Sequence, residues 1–531
     1  MKNILFTLLA IFLLYACYDD KSTLQQFGFP TIVCDRQGEE EYLIATLGEE
    51  FTYEPRLCKI QGRDSIPLTE SEFDDYGYEW SLSLLSDGRD TSKQIISNER
   101  ILKTFIELTP TNDGFSYYTL TLQVTHKASN TNKNLIWEVK VLGTYGSGLL
   151  IAETADGINS DISLIMSRTF NSSLKDYSSD VVYQNIFSKH NNTLIEGEVT
   201  SLAYISQKEH TAIIALAKGK SLVRIDPVTM ELIDQNLECF FYTPPVFNPQ
   251  LVITCWAKSI LINNGQLQYY NSVSDIKYSY YPDSKYDLAT ACANELNWGA
   301  ELILWDKNAG KFVQKPNNSG DVTDLDNTVS EKFNPSDMQG CECIYGETTG
   351  KDNTSDRTKW LIKKDGQYYV YVLDCTYNWD NNETKFVGVN VYDLGNCPDI
   401  EKSPCYAFSN NDEFYYSVDN ILYAVPLIKE KPERQISYDK FASTEQITHI
   451  LVYRGNGYTT WSENIDPETG KETPVWRSSE NNVLCVVTWD GSEGRVYTLP
   501  VQYSGTGGIA SEKYVNCYDK FNRITGIAPR K

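Results

Sequence analysis

"WLIKKDGQYYVYVLD", Trp360–Asp374, holds the reading of the fold in miniature. Two runs rich in aromatic and aliphatic residues flank Asp365-Gly366. Asp-Gly and Asn-Gly between such runs signal a β-hairpin, because both central positions tolerate φ > 0. The same device recurs in "ILINNGQLQYY" (Ile260–Tyr270) at Asn264-Gly265 and in "LILWDKNAGKFVQK" (Leu302–Lys315) near Asn308–Gly310. It recurs again in "FYYSVDNILYAVPL" (Phe414–Leu427) at Asp419-Asn420 and in "CVVTWDGSEGRVYTLPV" (Cys485–Val501) around Asp490–Gly494. "LVRIDPVTMELIDQ" (Leu222–Gln235) turns at Asp226-Pro227. Turns roughly forty to seventy residues apart have a propeller-like period. Residues 144–531, at about 50 per blade, predict a C-terminal β-propeller of seven or eight blades. A further pair of sandwiches is the alternative architecture. Long amphipathic helical patterns are absent, which excludes the common α/β enzyme folds.

Upstream the texture differs. "GEEFTYEPRL" (Gly48–Leu57), "YGYEWSLSLL" (Tyr76–Leu85), "SYYTLTLQVTH" (Ser116–His126) and "NLIWEVKVLG" (Asn134–Gly143) alternate apolar and polar residues. Period two means one buried face, so residues 38–143 read as an Ig-sized β-sandwich. Trp80 and Trp137 are core residues of that sandwich, with a sugar platform as the alternative. The whole chain is therefore expected to be all-β.

The N-terminus carries Lys2 and then an almost wholly apolar run, Ile4–Leu14. It is too short for the roughly 20 residues a membrane span requires. With small Ala16 before Cys17, it reads as a secretory signal over residues 1–16. Leu14-Tyr15-Ala16-Cys17 is similar to a bacterial lipobox, which implies a lipidated Cys17 and a tether over residues 17–37. An ordinary signal peptide with a coincidental cysteine is the alternative.

The net charge of −24 repels phosphate backbones and argues against nucleic acid as a partner. A 41% hydrophobic content suffices for packed cores across 531 residues. Of 13 cysteines, those other than Cys17 are even in number, as expected of a disulfide framework in an exported chain. Cys34 with Cys58 is the first expected pair, because no other cysteine lies in that region. Cys341-Glu342-Cys343 is either a metal dithiolate, part of a disulfide, or a pair of buried thiols. The four histidines have no ligand spacing, so no metal site and no cofactor is expected.

Catalytic motifs are not found. H-E-x-x-H and G-x-S-x-G do not occur, and "GETTGKD" (Gly346–Asp352) is one residue short of a phosphate loop. "DVTDLDNT" (Asp321–Thr328) and "NWDNNE" (Asn378–Glu383) offer clustered oxygens without the glycine and terminal Glu of a calcium loop. The positive signal is aromatic: 36 tyrosines and 10 tryptophans. Trp298, Trp379 and Trp461 lie in polar, loop-like contexts and are the ligand-binding candidates, since a flat exposed ring stacks on sugars or grips peptide side chains. Trp305 and Trp489, inside alternating strands, read as core.

The order lipobox, "CYDDK", sandwich with "YEW", strand "SYYTLTLQV", then "YGSGLLIAETADGINSDISLI" (Tyr145–Ile165) resembles the PKD-like family of Bacteroidota surface lipoproteins. Family members continue the acidic start with a Gly-Asn-Tyr-rich run, where this chain has "STLQQFGFPT". The resemblance implies a PKD-like sandwich and an outer-membrane lipoprotein facing the cell exterior. It also implies a role beside SusC/SusD-like transporter pairs that import glycans or oligopeptides. The expected function is to bind or present such a nutrient. The alternatives are a propeller-based glycosidase or lyase, disfavoured by the lack of any catalytic signature, and a purely structural subunit of the importer.

Overall fold

The computed structural model describes residues 31–530 apart from 37–42, 47–49, 62–63, 87–88, 106–114, 143–144, 175–179, 208–209, 257, 272–276, 280–284, 298–299, 318–320, 352–354, 381–382, 466–471, 504 and 510. Two units form, divided after Leu142. Strands dominate both, and the α-helices among the described residues are the short Glu70–Phe73 and Ile186–Asn191. None of these helices is long and apolar enough to cross a membrane.

In the first unit a five-stranded sheet runs in the order Leu43–Thr46, Thr131–Leu142, Phe115–His126, Tyr76–Ser86, Arg89–Ser97. A three-stranded sheet (Ile32–Cys34, Leu57–Gln61, Asp64–Pro67) and a pair (Glu50–Tyr53 with Leu102–Phe105) complete it. Alternation places Trp80, Leu82, Leu120, Leu122, Trp137, Val139 and Val141 in one core, shared with Ile32, Leu57 and Leu102 from the smaller sheets. Both tryptophans are therefore core, as expected. Their rings lie 5.7 Å apart, and the Trp80 Nε1–H donates to the Glu99 carbonyl at 2.9 Å. Ile32–Cys34, within the stretch read as tether, is a strand paired with Leu57–Gln61 in this unit.

The second unit is a succession of sheets, each built on four antiparallel strands, to which the fifth adds Thr328–Ser330 parallel to its outer strand Glu383–Asp393. From innermost strand outward, the first is Arg523–Arg530, Gly148–Thr154, Asn159–Met166, Val181–Tyr183. The next six begin at Val199–Gln207, Pro249–Cys255, Leu288–Asn294, Cys341–Lys351, Tyr406–Phe408 and Gln446–Val452, and each runs outward in chain order. Each innermost strand touches that of the next sheet, and Arg523–Arg530 touches both Val199–Gln207 and Gln446–Val452. The sequence is thus closed by its last strand, and the unit is propeller-like. Middle strands packed between neighbouring sheets are buried on both faces, as in Gly148–Thr154 and Ala300–Asp306, where every residue is buried, the carboxylates Glu153, Glu301 and Asp306 included. Between the fourth and fifth sheets, Phe312 bridges Trp305 and Trp360 with ring centroids 5.0 and 4.8 Å apart. Trp305 is core, while Trp489 is half-buried.

Strand alternation sorts the connections onto two ends. Second-to-third connections occupy one end as tight turns, each with a positive-φ residue: Gly157, Gly219, Gly265, Gly310, Gly366, Asp419 and Gly491. At Asn264-Gly265 and Asp365-Gly366 both residues have φ between 50° and 80°, the backbone those dipeptides favour. Connections from each fourth strand to the next innermost strand, such as 236–248, 325–340 and 394–405, return to the end of the tight turns and are mostly longer. First-to-second and third-to-fourth connections occupy the opposite end. The Asp226-Pro227 turn lies there, joining the third and fourth strands of its sheet. The seventh sheet inserts a hairpin at that end, Tyr458–Ile465 with Glu472–Ser478, between its first and second strands.

The disulfide expectation is corrected. All twelve described cysteines are thiols. Cys34 stands opposite Leu57 and Cys58 opposite Val33, so the two thiols point to opposite faces of their sheet. Of the others, Cys239, Cys255, Cys375, Cys397 and Cys485 are buried, and desolvation pushes their thiols up, that of Cys255 to about 12. Among the described residues no group of His, Cys, Asp and Glu is arranged to hold a metal ion. Gly346–Lys351 of the near-phosphate-loop belongs to a strand, and Asp324 of "DVTDLDNT" is engaged by Lys311 at 2.7 Å.

His449 ties the seventh sheet to the closing strand: its Nε2–H donates to the Thr525 carbonyl at 3.1 Å, and Nδ1 accepts from Thr448 at 3.1 Å. Burial lowers its pKa to about 4. In the unfolded chain it titrates near 6.5, so on acidification the unfolded state takes up its proton first. This stability is fully present above pH ~6.5 and lost as pH falls towards 4, at most about 1.4 kcal/mol per pH unit. Urea midpoints at pH 7 and pH 5 should differ less in His449→Gln than in the wild type. An equal difference would remove His449 from the acid response.

Candidate functional site

The end of the second unit that bears the inserted hairpin carries the exposed tryptophans Trp379 and Trp256, while Phe241 and Tyr242 are exposed at the opposite end. Trp379 caps the third-to-fourth connection of the fifth sheet, where strands Gln367–Asn378 and Glu383–Asp393 project it outward. Its side chain is 60% exposed and meets Tyr377 edge-on at 4.9 Å. The Asp380 N–H donates to Asn378 Oδ1 at 2.9 Å, so this acid-rich tip is an Asx turn.

Trp461 sits on the inserted hairpin and is half-buried. The Arg477 guanidinium lies over its ring, 3.5 Å from the centroid, and Arg168 lies over Trp476 at 4.5 Å. One face of each indole is thus occupied by a cation. The hairpin is anchored at its base, where the Tyr458 N–H donates to the Arg168 carbonyl at 2.7 Å. A Cβ at Gly457 would meet the Thr169 carbonyl at 2.0 Å, so this approach requires glycine. Lys513 binds Glu463 and Glu472 across the two hairpin strands at 2.6 and 2.8 Å. Trp298 and Cys17 lie outside the described residues.

A further tryptophan belongs to this end. Trp256 begins the two-residue connection between Pro249–Cys255 and Lys258–Asn263. It is 47% exposed, with φ of 57°, and its N–H donates to Glu295 Oε1 at 3.1 Å. Sequence reading passed over it because "LVITCWAKSILIN" looks like one unbroken strand. The available signal was length, since thirteen residues exceed an ordinary strand by a factor of about two.

Beneath these loops lies a layer of paired charges. Glu301 accepts from buried Lys315 at 2.6 Å and pairs with Lys258 at 3.4 Å. Arg357 and Asp374 form a bidentate pair, both bonds 2.8 Å. Lys359, buried and with its pKa lowered by desolvation, binds Asp412 at 2.9 Å and donates to the Ser409 carbonyl at 3.1 Å. Arg454, leaving the first strand of the seventh sheet, pairs with Glu347 of the fifth and donates to the Phe408 carbonyl of the sixth at 2.8 Å. Buried Asp356 accepts from the Asn297 N–H at 2.5 Å. Lys258–Glu301, Lys359–Asp412, Arg454–Glu347 and Asn297–Asp356 join different sheets, whereas Lys315–Glu301 and Arg357–Asp374 each lie within one. Leaving one partner of the buried Lys315–Glu301 pair alone costs about 3–5 kcal/mol.

No family model matches the chain, and no curated protein does. Among solved structures, the chain is similar to Hsv2 of Kluyvelomyces marxianus at 9% identity and a TM-score of 0.31, covering 68% of this chain and 94% of that one. It is similar to apo AztD from Citrobacter koseri at 8% identity and a TM-score of 0.30, covering 84% and 99%. The WD40 domain of SCAP from fission yeast matches at 7% identity and a TM-score of 0.23, covering 78% and 73%.

Proposed function

We propose that this chain is a surface lipoprotein, anchored through Cys17 in the outer membrane and facing the cell exterior. In this reading a PKD-like sandwich precedes a seven-bladed propeller. The propeller binds a nutrient polymer, a glycan or oligopeptide, and helps present it to a SusC/SusD-like importer. The observation that supports binding is the placement of Trp379 and Trp256. These well-exposed tryptophans stand together at the end that bears the inserted hairpin, on loops, and ligands generally meet such folds through loops. Neither ring is needed to fill the core. The anchor rests on the apolar run and Leu14-Tyr15-Ala16-Cys17.

The test is a binding screen of the full chain, purified in detergent, against neutral and acidic glycans and peptide mixtures. Trp379→Ala should weaken the binding found by roughly tenfold, the cost of losing a ring that covers a ligand, at an unchanged melting temperature. Turnover of a screened polymer would replace the binding module with the degradative enzyme. No binding, together with co-purification of a SusC/SusD-like pair, would leave the structural subunit.

A further inference from the structure

Two-residue connections occur at both ends of the strand Lys258–Asn263, and they are built oppositely. At one end the chain uses Asn264-Gly265, residues that adopt φ > 0 with little cost. At the other, the equivalent first position is Trp256, at φ of 57°. A bulky side chain in the left-handed region is a genuine outlier, since its Cβ crowds the backbone. Besides Gly, Asn and Asp, the described residues with positive φ are Met230, Trp256, Glu295 and Lys520. Two of these four touch one another, because the Trp256 N–H donates to the Glu295 carboxylate at 3.1 Å.

Strain of this kind persists only where the surroundings over-determine it, and it clusters at functional sites. The surroundings are visible here. The neighbouring sheet clasps the turn: Asn294 Nδ2 donates to the Thr254 carbonyl at 2.5 Å, and the Cys255 thiol donates to the Glu301 carbonyl at 3.8 Å. The indole is 47% exposed. The turn therefore presents a large flat ring partly to solvent from a left-handed backbone.

We propose that Trp256, held by Glu295, is a contact residue for a neutral saccharide. The assignment rests on the end that carries Trp379 and Trp256 being the binding face, and it names the ligand class for that face. A sugar ring offers both an apolar C–H face, which stacks on an indole, and hydroxyl donors. A carboxylate is an acceptor of the kind a sugar O–H seeks, and Glu295 stands beside this ring. The acid-rich chain, at −24, opposes acidic polymers and is indifferent to neutral ones.

The decisive variant is Trp256→Gly, because glycine occupies the left-handed region without strain. The full chain in detergent is titrated with mannan, dextran and xylan oligosaccharides, with polygalacturonate, and with a casein digest, alongside Trp256→Phe, Glu295→Gln and Trp379→Ala. We expect binding to a neutral saccharide that falls at least tenfold in Trp256→Gly and is largely kept in Trp256→Phe. The melting temperature of Trp256→Gly should be equal to or above that of the wild type. A lowered melt with unchanged affinity would show a structural ring and overturn the assignment. Binding confined to the digest or to polygalacturonate would overturn the ligand class. Saccharide binding weakened by Trp379→Ala but not by Trp256→Gly would overturn this inference while leaving the binding face standing. No binding of any probe would overturn both.

Discussion

A chain ending at Asn522 is expected not to fold its second unit. Arg523–Arg530 supplies the innermost strand of the first sheet, pairing with Gly148–Thr154 from Gly148↔Arg530 to Thr154↔Arg523. Without it, Leu149, Leu150, Ile151 and Ala152, which are wholly buried, form an open sheet edge. The contacts of Ile524 in the core are also lost, with the bond from Thr525 Oγ1 to the Val199 carbonyl at 2.6 Å. The buried Arg530, whose Nη2–H donates to the Pro227 carbonyl at 2.8 Å, goes as well. Net hydrogen bonds at about 1 kcal/mol each and buried aliphatic side chains at about 1.5–3 kcal/mol each add to roughly 10 kcal/mol. That equals the whole stability of an ordinary domain. The exposed edge is also a template for pairing with other chains. Size exclusion should show aggregate, and circular dichroism should show no cooperative melt from this unit. A truncated chain with a wild-type melt would mean that closure by the last strand is dispensable.

The second large effect belongs to the sandwich. Trp80→Ala should destabilise the first unit by about 3–5 kcal/mol, the usual cost of deleting a large buried aromatic. Trp80 is fully buried, meets Tyr53 edge-on at 6.1 Å, and satisfies its N–H on the Glu99 carbonyl. At a urea m-value of about 1–3 kcal/mol/M, the midpoint of this unit's transition should fall by roughly 2 M. Trp379→Ala, on an exposed tip, should leave the midpoints within about 0.5 kcal/mol of the wild type. A Trp80→Ala midpoint equally unmoved would contradict the single core described for this unit.

Much of the architecture was readable because its signals are local. Alternation in "SYYTLTLQVTH" is a property of residues two apart, and it assigned Trp80 and Trp137 to a core without any knowledge of partners. Asn264-Gly265 and Asp365-Gly366 announce their turns because φ preference belongs to the residue itself. The aromatic candidates were only partly readable. Polar neighbours marked Trp379 as exposed, which it is, and marked Trp461 alike, although Arg477 covers one of its faces from across the hairpin. The same limit explains Cys34 and Cys58, where proximity in sequence suggested a bond that strand register forbids.

The sequence by itself determined that the chain is built of strands, where most hairpins turn, and which tryptophans fill the sandwich core. Each of these follows from side-chain chemistry and backbone preference within a few residues. The tertiary structure alone decided that Arg523–Arg530 returns to Gly148–Thr154, that Trp379 and Trp256 stand at the same end of the second unit, and that Trp256 stands strained against Glu295. Those facts depend on pairings between residues from about forty to several hundred positions apart. Many alternative pairings share the same local pattern, and only the packed cores between neighbouring sheets select one of them.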